Sequence, residues 1–312
     1  MTEPFRPTPM PFLMLLDEAM RRTRAHLRAI FPAVALPIAI LTTLLQVGQI
    51  ISLRGILNAG NRPTALSLLW TPWFLLVALI LAAVSALAYT AGQVAALDAL
   101  SGRPVDMGRA WRFAAQPAVW GTLFLSALFL FLSFLACVVP LLYVAPLLSF
   151  AVPAMVEEGV FGMAALSRSA ELTRYNPSRQ LTDSPIVKIL VLMLVSTLIS
   201  YLAGLLVTLP FQLPMFIDVF RHALSGDQDV QSAMSRWLWL QVPAAFLSSL
   251  VRVAVYLYTA FGIGMLFFDV RGRKEGSDLR SQIDSVFGGP PSPPPLPLPL
   301  SSSQPPPGEP WS

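Results

Sequence analysis

The chain has 312 residues, of which 55% are hydrophobic and only 12% are charged, and its formal net charge is +4. Soluble domains carry about 25% charged residues, so this composition excludes an ordinary water-soluble surface and is typical of a membrane protein. The basic residues stand at the ends of apolar blocks and do not gather on one soluble face, which argues against nucleic-acid binding.

Six apolar blocks follow one another along the chain, and each is a candidate transmembrane helix, since a span needs about 20 mostly apolar residues. They are residues 31–51, a stretch within 66–96, and residues 120–139, 141–155, 186–209 and 242–268. The fourth is short and is interrupted by Pro146 and Pro153, so blocks three and four form either a tight hairpin of two crossings or a re-entrant pair. The pattern predicts an all-α, polytopic fold with six transmembrane helices.

The distribution of Lys and Arg predicts the orientation of these helices. Sixteen of the 21 basic residues lie before block one, between blocks two and three, between four and five, or after block six. Four lie in the remaining connections, and Arg252 lies inside block six. By the positive-inside rule, both termini are expected in the cytoplasm, with the protein in the inner (cytoplasmic) membrane.

Three segments outside the blocks have amphipathic spacing. Residues 12–30 place apolar side chains three and four apart with arginines between them, which favours either an interfacial helix in the headgroup region or a cytoplasmic extension of the first span. Residues 160–174 predict a second amphipathic helix and residues 213–240 a third. In the third, Trp237 and Trp239 are expected in an interfacial aromatic belt.

These elements divide the chain into four predicted regions. Residues 1–30 form a cytoplasmic N-terminal region with the interfacial helix, and residues 31–270 form the six-span domain. Residues 271–287 form a basic juxtamembrane segment. Residues 288–312 are so rich in proline that we expect a disordered tail with polyproline II character.

Three polar residues within the blocks are candidates for function. Arg252 lies about ten residues from the outer end of block six, where a charge costs about 2.5–3.5 kcal/mol on insertion scales. It either contacts a substrate or lipid headgroup within the bundle or extends its guanidinium toward the outer interface. Gln46 and Gln49 in block one either line a polar path or bond to neighbouring helices.

The residues needed for catalysis or metal binding are scarce. The sequence contains no Walker loop, HExxH or GxSxG motif, and it has only two histidines and one cysteine, Cys137. Glu157 and Glu158 are adjacent and therefore point to different faces of a helix. We therefore expect neither an enzyme nor a cofactor.

Two segments resemble a known bacterial family. They are PLLSFAVPAMVEEGVFGMAALSRSAELTR, from Pro146 to Arg174, and LFFDVRGRKEGSDL, from Leu266 to Leu279. With the six-span layout they resemble the glycerophosphoryl diester phosphodiesterase membrane-domain family over about residues 10 to 285. In that family a Glu-Gly pair ends a proline-containing helix, an Arg-Ser pair follows, and the last span ends in an aromatic-Asp-hydrophobic-Arg run. Here these are Glu158-Gly159, Arg168-Ser169 and Phe268-Asp269-Val270-Arg271, followed by Arg273-Lys274-Glu275-Gly276.

The resemblance implies a membrane module without catalytic residues, because the separate catalytic barrel of the fused members would need about 250 further residues. The matched charged residues either form an ion-pair cluster at the inner face of the bundle or contact anionic headgroups. They are Glu158, Arg168, Asp269, Arg271, Lys274 and Glu275.

The leading functional prediction is a non-enzymatic membrane protein that organises the membrane or binds lipid headgroups at its cytoplasmic face. The alternative is a small-molecule or lipid transporter or channel, with a polar path near Arg252, Gln46 and Gln49. Membrane lipids are the expected partners, and nucleic acid is not expected. A homo-oligomer or a membrane-protein partner is left open.

Overall fold

A computed structural model describes residues 12–58, 65–175, 183–224 and 237–287. Within these ranges the chain is helical and contains no strand. The helices are α1 (Phe12–Asn58), α2 (Ala65–Leu100), α3 (Met107–Ala114), α4 (Pro117–Ala136), α5 (Val138–Leu148), α6 (Ala151–Glu158), α7 (Met163–Arg174), α8 (Pro185–Leu224) and α9 (Gln241–Phe287), with a 3-10 turn at Leu238–Leu240 before α9. The predicted all-α fold is confirmed.

Six segments of the described residues are long and apolar enough to cross a membrane. They are Phe12–Ser52, Leu75–Leu100, Pro117–Ala136, Val139–Glu158, Pro185–His222 and Leu238–Gly276. Large apolar side chains on these helices face outward, among them Phe124, Leu194 and Leu206, which are 69%, 67% and 74% exposed. Such a surface is unfavourable in water and suits hydrocarbon, so the protein is a multi-pass membrane protein.

The core lies where α1, α2 and α9 meet. A Cβ added at Gly92 on α2 would lie 3.2 Å from the side chain of Leu257 on α9 and 3.3 Å from that of Val34 on α1. Both of these side chains are almost completely buried. Glycine at this position therefore lets the three helices approach closely.

The fourth span is interrupted, as its two prolines predict. Helix α5 ends at Leu148, and α6 begins at Ala151 after a turn. Ser169 of α7 bonds to this break: its hydroxyl donates to the carbonyl of Leu147 at 2.5 Å and accepts from the amide of Phe150 at 3.0 Å. Helices α4 and α5 pack against each other around Cys137, whose φ of 153° lies in a region that favours glycine.

Two of the predicted amphipathic helices are continuous with spans. Residues 12–30 form the first part of α1, and the helix continues from them into the first apolar block without a break. Residues 213–224 continue α8 through Pro210 and Pro214, while residues 225–236 lie outside the described part. The predicted helix at 160–174 is confirmed as α7, but it begins at Met163, because Gly159 and Gly162 both have positive φ.

Helix α3 was not predicted. Asp106 caps it by accepting a hydrogen bond from the amide of Gly108 at 2.8 Å, and this Asp before a helical turn is the signal that sequence reasoning missed. The chain divides into two units, Met1–Gly272 and Arg273–Ser312, and in the second the described residues are helical. The proline-rich segment 288–312 and residues 1–11 lie outside the described residues.

Candidate functional site

Glu158, at the end of α6, is the centre of an ion-pair network at the Arg-rich end of the bundle. The Arg168 guanidinium donates to both of its carboxylate oxygens, at 2.8 and 3.2 Å. The Nε of Arg271 lies 3.7 Å from the same carboxylate. The hydrogen bonds to Glu158 raise the pKa of Arg168 above its usual value. The ion-pair alternative predicted for these three residues therefore describes their geometry.

A second group of ion pairs lies beside the first and was not predicted as a cluster. Asp98, near the end of α2, is fully buried and pairs with Arg103 at 3.0 Å and with Arg109 at 3.2 Å. Arg103 also pairs with Glu157. An acid at the end of an otherwise apolar run, followed closely by arginines, was the available sequence signal.

The neighbouring carboxylates Glu157 and Glu158 have different partners, as their adjacency in one helix predicts. Glu157 pairs with Arg103, which follows α2, and Glu158 pairs with residues of α7 and α9. The end of α6 is thereby connected to three other elements. Because the charges neutralise one another in a partly buried setting, the network supports a structural role for this end of the bundle.

The remaining charged residues of the matched motifs have different settings. Asp269 is 7% exposed on α9. Lys274 is half-buried and Glu275 is exposed, and both belong to the second unit, just beyond Arg271 along the helix.

The first part of α1 carries a basic surface that faces away from the rest of the protein. Glu18 pairs with Arg21 at 2.6 Å and with Arg22 at 2.7 Å. Arg24 and Arg28 are exposed, lie one turn apart, and make no ion pair or hydrogen bond with the part of the chain that the structure describes. We call Arg24 and Arg28 the α1 arginine pair.

Arg252 lines a groove of about 790 Å³ between α8 and α9. At one end the two helices are joined by the Thr259 hydroxyl, which donates to the hydroxyl of Ser196 at 2.8 Å. The Arg252 side chain is exposed, and it has no ion pair or hydrogen bond among the described residues. We call this site the Arg252 groove.

Gln46 and Gln49 lie apart from this groove. The Gln46 amide nitrogen donates to the side-chain oxygen of Gln241 at 3.2 Å, at the start of α9, and Gln49 is exposed. Neither glutamine is among the described residues that line the Arg252 groove. Gln46 thus bonds to a neighbouring helix, which was one of the two alternatives for it.

Metal-ligating side chains do not converge in the described residues. No group of three or more His, Cys, Asp or Glu residues there is placed to hold a metal ion. The charged groups that do converge form pairs of opposite sign, and the hydroxyls of the Arg252 groove have no base beside them among its described lining residues.

The fold and these sites define the class as an all-α, multi-pass membrane protein. No family model matches the chain, and no curated protein or solved structure matches it. The resemblance to the phosphodiesterase membrane-domain family therefore stays a prediction that rests on the motifs quoted above.

Proposed function

We propose that the protein is a non-enzymatic protein of the cytoplasmic membrane that binds anionic lipid headgroups at its cytoplasmic face and organises the membrane around itself. The α1 arginine pair carries this proposal, because two exposed arginines without carboxylate partners stand beside the start of the first span. The positive-inside rule assigns this end of the bundle, and both termini, to the cytoplasm.

The position of the pair along α1 fits the headgroup layer. If the hydrocarbon begins just after Arg28, a span of about 20 residues covers residues 29–48. Arg28 is then at the hydrocarbon boundary, and Arg24 lies about 6 Å farther out along the helix. The headgroup layer on each side is about 5–7 Å thick, so both guanidinium groups reach lipid phosphates.

The other face of the same helix supports this orientation. Leu15 and Ala19 are buried against the core, at 4% and 0% exposure, and Arg24 and Arg28 lie on the opposite side with Leu13, which is 77% exposed. The buried face fixes the rotation of α1, so the arginines are held toward the surrounding lipid. A membrane-facing surface with both apolar and basic side chains is typical of contacts with anionic lipid.

A transporter with a path through Arg252, Gln46 and Gln49 has less support. Gln46 bonds to Gln241 at the start of α9, about 16 Å from Arg252 along that helix at 1.5 Å per residue. The groove at Arg252 is open at the side of the bundle, where Tyr201 is 67% exposed.

The test compares two double variants with the same change in charge. Arg24→Gln/Arg28→Gln removes the α1 arginine pair, whereas Arg21→Gln/Arg22→Gln removes arginines that already pair with Glu18. Phosphatidylglycerol is titrated into delipidated full-length protein in detergent, and bound lipids are counted by native mass spectrometry. A basic residue near an anionic surface contributes about 1 kcal/mol, so we expect R24Q/R28Q to weaken the affected site about 30-fold.

The control variant R21Q/R22Q is expected to weaken phosphatidylglycerol binding about threefold at most, because its arginines lie farther from the boundary and are paired. Equal losses of phosphatidylglycerol affinity in the two double variants would show that binding depends on net charge alone, which would contradict the proposal. Unchanged binding in R24Q/R28Q would also refute the proposal.

A further inference from the structure

We propose that the Arg252 groove is a binding site for one anionic, phosphate-bearing lipid that enters sideways from the outer leaflet. This site is separate from the α1 arginine pair and does not depend on the cytoplasmic-face function. The argument rests on the groove's lining, the lack of a partner for Arg252, and the depth of Arg252 in the bilayer.

The groove combines polar groups with a mainly apolar surface. Ten of its fourteen described lining residues are polar, and eight of these carry a hydroxyl group. Apolar side chains and the hydrocarbon parts of the polar residues form most of the exposed surface between these groups. Such a lining suits a molecule with a polar head and apolar chains.

The floor of the groove is fixed by contacts with α2. The Tyr256 hydroxyl donates to the main-chain carbonyl of Tyr89 at 2.8 Å, and the centroids of the two rings lie 4.3 Å apart. Several of the lining hydroxyls donate to carbonyls of their own helix, among them Thr208 and Ser248. Arg252 is therefore the strongest free donor that the groove presents.

The charge of Arg252 requires an anion that the described residues do not supply. No Asp or Glu is among the described lining residues, and Arg252 pairs with none in the described chain. An arginine at membrane depth is costly unless it is paired or hydrated. Its planar group of five N–H donors fits the oxygens of a phosphate, which it binds with two parallel hydrogen bonds.

Arg252 lies inside the span, below the outer headgroups. If the hydrocarbon covers residues 29–48 of α1, Gln46 lies near the outer boundary, and the side chain of Gln241 on α9 bonds to it. Arg252 is eleven residues from Gln241 along α9, which is about 16 Å farther into the bilayer at 1.5 Å per residue. A lipid phosphate from the outer leaflet therefore reaches Arg252 by descending along the groove.

The size and flanks of the groove fit one lipid headgroup with the first part of its chains. Its volume of about 790 Å³ is within the range of about 300–1,000 Å³ that ligand pockets have. Leu205 lines the groove, and Leu202 and Leu206, on the outward side of α8, are 55% and 74% exposed. These side chains provide an apolar path for an acyl chain beside the polar lining.

The experiment uses the full chain, delipidated in detergent, with phosphatidylglycerol, phosphatidylcholine and inorganic phosphate as separate probes. We expect Arg252→Gln to weaken phosphatidylglycerol binding at one site at least tenfold. Arg221→Gln removes an exposed arginine in the last turn of α8, outside the groove lining. It is the matched control and should change binding less than twofold. Native mass spectrometry measures each bound lipid, and both variants are also made in the R24Q/R28Q background, so that the two proposed sites are read separately.

A second variant fills the groove without removing its charge. Gly204 lines the groove, and a Cβ added there meets nothing within 4 Å, so the side chain of Gly204→Leu starts in open space. We expect it to weaken phosphatidylglycerol binding at least fivefold without lowering the melting temperature, since replacing a glycine inside a helix is itself stabilising. A photoactivatable phosphatidylglycerol should crosslink to peptides of α8 and α9, and this crosslink should be lost in Arg252→Gln.

Several results would overturn the proposal. Equal losses in Arg252→Gln and Arg221→Gln would show that Arg252 only adds charge to the surface. Unchanged binding in Gly204→Leu would show that the arginine reaches bulk headgroups without the groove. Binding of inorganic phosphate in the absence of any phosphatidylglycerol binding would assign the site to a free anion, and equal binding of phosphatidylcholine would remove the need for an anionic lipid.

Discussion

The close packing of α9 against α2 at Gly264 leads to a prediction that can be worked out from the structure. A Cβ at Gly264 would lie 2.7 Å from Cδ1 of Leu100 and 3.1 Å from Cδ2 of Leu97. These leucines are 1% and 0% exposed, so their side chains have little room to move away. Gly264→Ala should therefore strain the core, at a cost of about 1–3 kcal/mol for overpacking.

The matched control for Gly264→Ala is Gly204→Ala on α8, where the added Cβ meets nothing within 4 Å. Both substitutions replace a glycine inside a helix, and each gains about 0.5–1 kcal/mol from the smaller backbone entropy of alanine. That gain is common to both variants and cancels in the comparison. Gly264→Ala should therefore be less stable than Gly204→Ala by the full packing cost of about 1–3 kcal/mol.

The assay is thermal unfolding of the purified variants in the same detergent, where we expect Gly264→Ala to melt several degrees below Gly204→Ala. Combining Gly264→Ala with Leu100→Ala removes the closest side chain, so the added methyl group should cost much less in that background. Equal melting temperatures for the two single variants, or an unchanged cost in the Leu100→Ala background, would refute the close contact between α2 and α9.

Two further predictions concern the ends of the bundle. Glu158→Gln should lower the free energy of unfolding in detergent by about 1.5–3 kcal/mol, because it removes a carboxylate that binds two guanidinium groups. The control is Glu171→Gln, since the side chain of Glu171 is 54% exposed and its carboxylate lies 3.4 Å from Arg168. It should lower the free energy of unfolding by about 1 kcal/mol at most. Equal decreases in the two variants would contradict the central role of Glu158. The single cysteine, Cys137, is exposed at the turn between α4 and α5, and with cytoplasmic termini it faces outward. A membrane-impermeant maleimide should therefore label it in intact spheroplasts, with Cys137→Ala as the blank, whereas labelling only after lysis would reverse the proposed orientation.

The sequence by itself determined the class of fold and the number of helices that are long and apolar enough to cross a membrane. Apolar runs of about 20 residues become helices in a bilayer because only a helix satisfies its own backbone hydrogen bonds there, and those bonds are local in sequence. The break in the fourth span followed in the same way from Pro146 and Pro153, since proline removes a local donor.

Only the tertiary structure decided which side chains meet. Three features depend on how each helix is rotated and shifted against its neighbours. They are the pairing of Asp98 with Arg103, the separation of Gln46 from Arg252, and the Arg252 groove between α8 and α9. Close contacts between helices, such as those at Gly92 and Gly264, set that rotation and shift. These contacts join residues that are far apart in the chain, so no local pattern in the sequence contains them.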